Sequence, residues 1–257
     1  YGIVLVTGPT GSGKTSTLYS MLNSLDKEGR NIVSLEDPIE YSVSGVNQSQ
    51  VAPEIGYTFA NGLRSILRQD PDVIMVGEIR DVETAELAVQ AALTGHLVFS
   101  TIHTNTAIST ITRLVEMGIP HYLIAPTVKL IIAQRLVHKL VPETDAPHEI
   151  IPIEGSYKEM VKTEFGDLSP QFLAALPFTD NFHAQKPSAQ SRTGTEGRVA
   201  VFEMLEVDKE VEKAILKKSD ENEIYKLARA KGMITLKEDA LLKSMNGKVP
   251  FRESMGL

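Results

Sequence analysis

The stretch IVLVTGPTGSGKTSTLYSML, residues 3–22, decides how the chain is read. Ile3-Val4-Leu5-Val6 is a continuously apolar, mostly β-branched run, as expected of a strand covered on both faces. GPTGSGKT, Gly8 to Thr15, matches G-x-x-x-x-G-K-[ST] in full. Leu18, Met21, Leu22 and Leu25 then keep the i, i+3, i+4, i+7 spacing of an amphipathic helix, and Gly29 is placed to end it. The motif thus sits between a strand and a helix, the setting its mechanism requires. Its glycines let the backbone wrap a phosphate, so that successive N–H groups and the helix N-terminus face negative charge. Gly8, Pro9, Thr10, Gly11, Ser12, Gly13, Lys14, Thr15 and Ser16 are the expected phosphate-binding residues. Lys14 would reach the β- and γ-phosphates, and the Thr15 hydroxyl would bind Mg²⁺.

Moving outward, strands and helices alternate. A strand is expected over 31–35, a loop rich in Ser, Gly, Pro and Asn over 42–57, and a helix over 58–68. Strand 73–76, helix 82–94, strand 97–102 and helix 105–117 follow. This α/β alternation implies βαβ units and a parallel doubly wound sheet. Beyond Val141 the texture changes to loop-rich sequence over 142–197, with one helix near 157–165. A short strand at 198–202 precedes helical patterns at 208–218, 221–231 and 236–246, with Thr235 and Glu238 as a capping box. The expected organisation is a core over 1–141 and a smaller, mostly helical domain over 142–257.

The 257 residues are 42% hydrophobic, ample for a sizeable core. A net charge of −7 argues against a dedicated nucleic-acid binder, which usually carries a basic face. With no cysteine, disulfides and thiolate metal sites are excluded, which suits a reducing cytoplasm. The longest apolar region, 122–133, is interrupted by Pro126 and Lys129. It is far short of the roughly 20 residues a membrane span needs. No basic leader is visible, so the chain is expected to be soluble and able to dock on a membrane-bound partner.

A nucleotide hydrolase with this loop also needs acids at strand ends. Glu78 follows the strand 73–76 through Gly77, on the side where such sheets bind ligands. The segment Glu36-Asp37-Pro38-Ile39-Glu40 follows another strand and carries three carboxylates, any of which could polarise a water. Spacing alone does not choose among them. His103 ends the strand 97–102 on the same side, where an imidazole could sense a γ-phosphate; His96 lies at the opposite end. For either histidine taken alone, a satisfied structural role is the plainer alternative.

These residues together resemble the secretion ATPase superfamily, the GspE/PilB-type motors of type II secretion and type IV pilus assembly. The resemblance rests on GPTGSGKT, EDPIEY, LRSILRQDPDVIMVGEIRD and TGHLVFSTIHTNTA, with AQRLV at 133–137 and EGRVAVFEML at 196–205. It implies a RecA-like P-loop core that hydrolyses ATP with Mg²⁺. Glu40 matches the glutamate that activates water, Glu78 the one that holds Mg²⁺, and His103 the histidine near the γ-phosphate. It also implies homo-hexameric rings in the cytoplasm, docked peripherally on inner-membrane platform proteins, with no direct nucleic-acid partner. Arg64, Arg68 and Arg80 match arginines whose roles the sequence does not separate.

Two departures stand out. Assembly-type members commonly carry a four-cysteine zinc motif after AQRLV, whereas this chain reads VHKLVPETDAP. No zinc is expected, and His138 and His148 are too thin a ligand set. Only seven residues precede Gly8, whereas the family has an upstream domain there. The resemblance therefore implies a fragment with low activity of its own. The rival readings are a pilus-retraction motor, a nucleic-acid translocase on the same fold, and a nucleotide-binding regulatory module without turnover.

Overall fold

The computed structural model describes residues 1–189 and 191–257; Gln190, within the expected loop-rich stretch, lies outside the described residues. The elements in chain order begin with β1 (Gly2–Thr7), α1 (Lys14–Ser24), β2 (Ile32–Glu36), β3 (Asn47–Gln50), α2 (Phe59–Ile66) and β4 (Val73–Val76). Next come α3 (Val82–Leu93), β5 (Leu97–Ile102), α4 (Ser109–Glu116), α5 (His121–Thr127) and β6 (Val128–Leu140). β7 (Glu149–Pro152), α6 (Ser156–Glu164), α7 (Pro170–Leu173), β8 (Asn181–Ala184) and β9 (Thr195–Glu206) follow. The chain ends with α8 (Lys209–Leu216), α9 (Glu221–Ala230), α10 (Leu236–Met245) and α11 (Phe251–Ser254).

Seven strands form one sheet in the order β3-β2-β4-β5-β1-β6-β9, and β7 pairs with β8 in a separate antiparallel ribbon. The pairs β2–β3, β2–β4, β4–β5, β1–β5 and β1–β6 are all parallel. Registers Leu35↔Val76, Val76↔Ser100 and Thr7↔Ile102 bring the C-terminal ends of β2, β4, β5 and β1 side by side. In open α/β sheets that edge is where ligands bind.

The chain divides into two compact units, 1–133 with 205–225, and 134–204 with 226–257. The first differs from the expected single boundary at 141 because α8 returns to pack on α5. In this unit Leu18, Tyr19 and Leu22 of α1 cluster with Val6, Ile32, Met75 and Phe99 of the sheet. Each fully buried apolar side chain contributes about 1.5–3 kcal/mol. α2 starts at Thr58, whose Oγ1 accepts the Asn61 amide, and α3 starts at Asp81, whose carboxylate accepts the Thr84 amide at 2.8 Å. Gly62 lets α2 lie close on β2, since a Cβ there would meet the Leu35 side chain at 2.6 Å.

The sequence expectations for 58–68, 82–94 and 97–102 coincide with α2, α3 and β5 within a few residues. α5, β7, α7, β8 and α11 lie where no such element is expected, and three strands of the large sheet differ. β3 lies inside the expected loop 42–57, β6 runs for 13 residues where no strand is expected, and β9 extends well beyond 198–202 on both sides.

The second unit has its own core, in which Phe182 stacks on Phe251 at 4.4 Å between ring centroids beside Phe165, Leu241 and Met245. The capping box on Thr235 and Glu238 is present. Glu238 is buried and receives both terminal nitrogens of buried Arg229 at 2.6 Å. Among the described residues, no helix is long and apolar enough to cross a membrane.

Candidate functional site

α1 is one of several helices that start without a side-chain cap, α4 and α5 among them, and it starts at a glycine. α2, α3, α8 and α10 are capped by the side chains of Thr58, Asp81, Asp208 and Thr235, whereas α1 begins at Gly13 with no side-chain cap and no acid in its first turn. Gly13 holds φ +85°, the left-handed conformation that favours glycine, and Gly11 holds φ +78° with open space where a Cβ would stand. The helix therefore presents its first amides and the positive end of its dipole toward solvent, ready for an anion. Lys14 Nζ donates to the Gly8 and Pro9 carbonyls at 2.9 and 3.0 Å, which folds the cation over the loop. This donor set fits a triphosphate.

The loop opens into a cavity of about 670 Å³ whose lining includes Thr10, Gly11, Gly13, Lys14, Thr15 and Ser16. The lining also includes Glu36 at the end of β2, Asp37, Glu40 and Tyr41 just beyond it, Glu78 and Arg80 after β4, and His103 after β5. Gly8 and Pro9 supply the carbonyls under Lys14, and buried Ser12 donates its amide to Pro9 at 3.2 Å.

The three carboxylates of EDPIE, equivalent by spacing, have distinct surroundings. Glu36 is buried and receives the Ser34 hydroxyl at 2.5 Å, the Gln48 amide at 3.0 Å and the Tyr19 hydroxyl. So committed, it holds the β2 end in place. Asp37 lies 3.5 Å from Arg80. Glu40 is exposed on the cavity, and its backbone N–H donates to the Tyr19 hydroxyl at 3.3 Å. Burial, and then the bond to Glu36, pushes the Tyr19 hydroxyl up to about 12.

Glu78 is mostly shielded and engaged on both oxygens, Oε1 by His103 Nε2 at 2.9 Å and Oε2 by Arg80 Nε at 2.8 Å. Its backbone base is held too: the Thr101 hydroxyl donates to the Gly77 carbonyl at 2.7 Å, and Gly77 N–H donates to Leu35. Thr7 joins the phosphate loop to the His103 loop. Its Oγ1 accepts the Thr104 amide at 2.8 Å and lies 2.7 Å from the Thr104 hydroxyl, itself 2.8 Å from that of Thr110.

Of the three arginines, Arg80 lines the cavity, while Arg64 pairs with Glu83 in the first turn of α3. His96 closes the C-terminal end of α3: Nδ1 lies 2.7 Å from the Ala91 carbonyl, at the far end of β5 from His103. Tyr19 and Thr101 were not singled out from the sequence. Tyr19 reads there as one more core-facing position of α1, and no motif marks Thr101 as a partner of Gly77.

Over residues 1–256 the chain matches the family described as Type II/IV secretion system protein. It is 44% identical over 253 residues to the type II secretion system protein E of Xanthomonas campestris pv. campestris, covering 98% of this chain and 43% of that protein. It is also 44% identical to the type IV pilus assembly ATPase PilB of Acinetobacter baylyi, covering 98% of this chain and 42% of the relative. The chain thus spans a little under half the length of these relatives. Among solved structures, the pilus retraction motor PilT with bound ADP superposes at a TM-score of 0.69 and 32% identity, over 99% of this chain and 60% of that one. The ATPase DotB of Legionella pneumophila superposes at 0.66 and 30%, over 99% of this chain and 59% of that one.

Proposed function

The chain belongs to the type II/IV secretion system protein family, and from that premise we propose that it is the ATP-hydrolysing part of a motor that powers pilus or pseudopilus assembly. The observation that carries this reading is convergence: an uncapped glycine-rich helix start, Lys14, and the acids Glu40 and Glu78 face one cavity.

Hydrolysis needs a triphosphate held, a water deprotonated and the developing charge spread. The loop amides from Gly11 to Ser16 hold the β- and γ-phosphates, and Lys14 leaves its two carbonyls to pair with their oxygens. Glu40, exposed on the cavity, takes the proton of the attacking water as its oxygen bonds to the γ-phosphorus and the bond to the β-phosphate oxygen breaks. Thr15 and Glu78 would hold Mg²⁺, which when bound neutralises the phosphate charge. In that role Glu78 would give up Arg80 or His103, and the released side chain would be available to the γ-phosphate.

We assign assembly over retraction because the secretion and assembly relatives stand at 44% identity and the retraction motor at 32%. A homo-hexameric ring in the cytoplasm, peripheral to the inner membrane through platform proteins, completes the reading. The net charge of −7 stands against a nucleic-acid translocase.

The test is Glu40→Gln in the full-length protein. ATP binding is retained while phosphate release falls by about 10²–10⁴-fold, the usual worth of a general base. Wild-type turnover in that variant refutes the assignment, and DNA binding with a steep salt dependence would favour the translocase.

A further inference from the structure

Away from the nucleotide cavity, the second unit gathers three donors that lie far apart in sequence. One ligand atom each from Glu143, His148 and His183 falls within 4.8 Å of the other two. The Nδ1 atoms of His148 and His183 are 3.0 Å apart, with the rings nearly perpendicular. His148 is buried, and its Nε2 lies 2.7 Å from the Val141 carbonyl. A carbonyl only accepts, so Nε2 carries a hydrogen, and in the neutral ring the lone pair rests on Nδ1. An imidazole whose outer nitrogen is fixed by a backbone carbonyl is the usual posture of a metal ligand.

The spacing agrees. Two nitrogens on a tetrahedral ion at about 2.0–2.1 Å stand roughly 3.3 Å from each other, close to the separation seen here. Gly247 borders the same place: a Cβ there would lie 3.5 Å from His183 Nδ1 and 3.6 Å from His148 Nδ1. A residue without a side chain therefore leaves the space beside both nitrogens open. His138, the companion the sequence offered, is engaged elsewhere, with Nδ1 2.8 Å from Glu253. His183 of β8 takes its place.

We propose that Glu143, His148 and His183 bind one divalent transition-metal ion of the zinc type, with water completing its coordination. Two imidazoles and one carboxylate suit Zn²⁺ or Co²⁺, whereas Mg²⁺ and Ca²⁺ prefer oxygen alone. His148 immediately precedes β7, and His183 pairs in register with Ile150 across the ribbon. The ion would tie the ribbon to the segment carrying Glu143, a cross-link in a unit that has no cysteine.

The experiment titrates untagged, metal-stripped protein, without nucleotide, with Co²⁺ and then Zn²⁺. Visible absorption and thermal unfolding are followed together. The expected result is saturable uptake of one Co²⁺ per chain with intense visible bands, displacement by Zn²⁺, and a melting temperature that rises with Zn²⁺. Glu143→Gln, at an exposed position, weakens affinity by at least about tenfold, a loss that changes outside the ligand set already reach. His183→Gln abolishes the bands, with circular dichroism reporting whether it folds; should it not fold, Glu143→Gln decides alone. No stoichiometric uptake overturns the proposal, and so does uptake whose affinity and spectrum are unchanged in Glu143→Gln.

Discussion

Replacing Tyr19 with Phe removes a single hydroxyl, and the structure sets the size of the response. That hydroxyl donates to the buried Glu36 carboxylate and accepts the Glu40 amide at 3.3 Å. The ring keeps its edge contact with Tyr41, at 4.5 Å between centroids. A hydrogen bond to a charged group contributes about 1.5–3 kcal/mol. Glu36 retains Ser34 and Gln48, so the loss belongs at the low end, about 1.5–2 kcal/mol at neutral pH.

Ionisation adds a second handle. The folded-state value, about 12, lies above the unfolded 10.0, so the native protein keeps a proton that the unfolded chain releases. The linked stability is fully present below pH 10 and is lost as pH rises through 12, two units or about 2.7 kcal/mol in all. Urea unfolding of both proteins, at neutral pH and across that window, reads both effects. The wild type is the more stable at neutral pH, and the gap narrows and then reverses as pH rises through the window. Equal midpoints at neutral pH, or a gap that stays constant across the window, refute the reasoning.

Lys14→Ala lowers ATP affinity by about 10- to 150-fold, the worth of one charged hydrogen bond, measured with a fluorescent nucleotide. His103→Ala frees one oxygen of Glu78 and slows turnover by about 100-fold while changing ATP affinity far less; the reverse pattern makes His103 a binding group. Arg229→Met strands Glu238, whose side chain is 1% exposed, and costs about 3–5 kcal/mol in thermal unfolding. Adding Glu238→Gln to that variant recovers part of the loss, because no buried charge is then left unpaired.

Much of the first unit was legible in the sequence because continuously apolar strands and glycine-punctuated loops leave strong local signals. β3 was not. It is an edge strand, Asn47-Gln48-Ser49-Gln50, paired with β2, and its polar side chains look like loop. The long β6 was hidden by the helix α5 directly before it, which joins the same apolar run. The sorting of Glu36 from Glu40 was also out of reach. β2 continues one residue past the expected end, so Glu36 belongs to the strand and turns toward Tyr19, while Glu40 stays in the turn. Spacing cannot report which of several acids is dry. His183 carried no signal, since its partners lie some 35–40 residues upstream and only the β7–β8 pairing unites them.

The run of threonine hydroxyls from Thr7 through Thr104 to Thr110 has a mechanical implication. It stitches the foot of the phosphate loop to the loop that carries His103, so the two flanks of the cavity travel as one piece. A shift at either flank is handed to the other without passing through bulk solvent, and a Val at position 7 would cut the thread while keeping its shape.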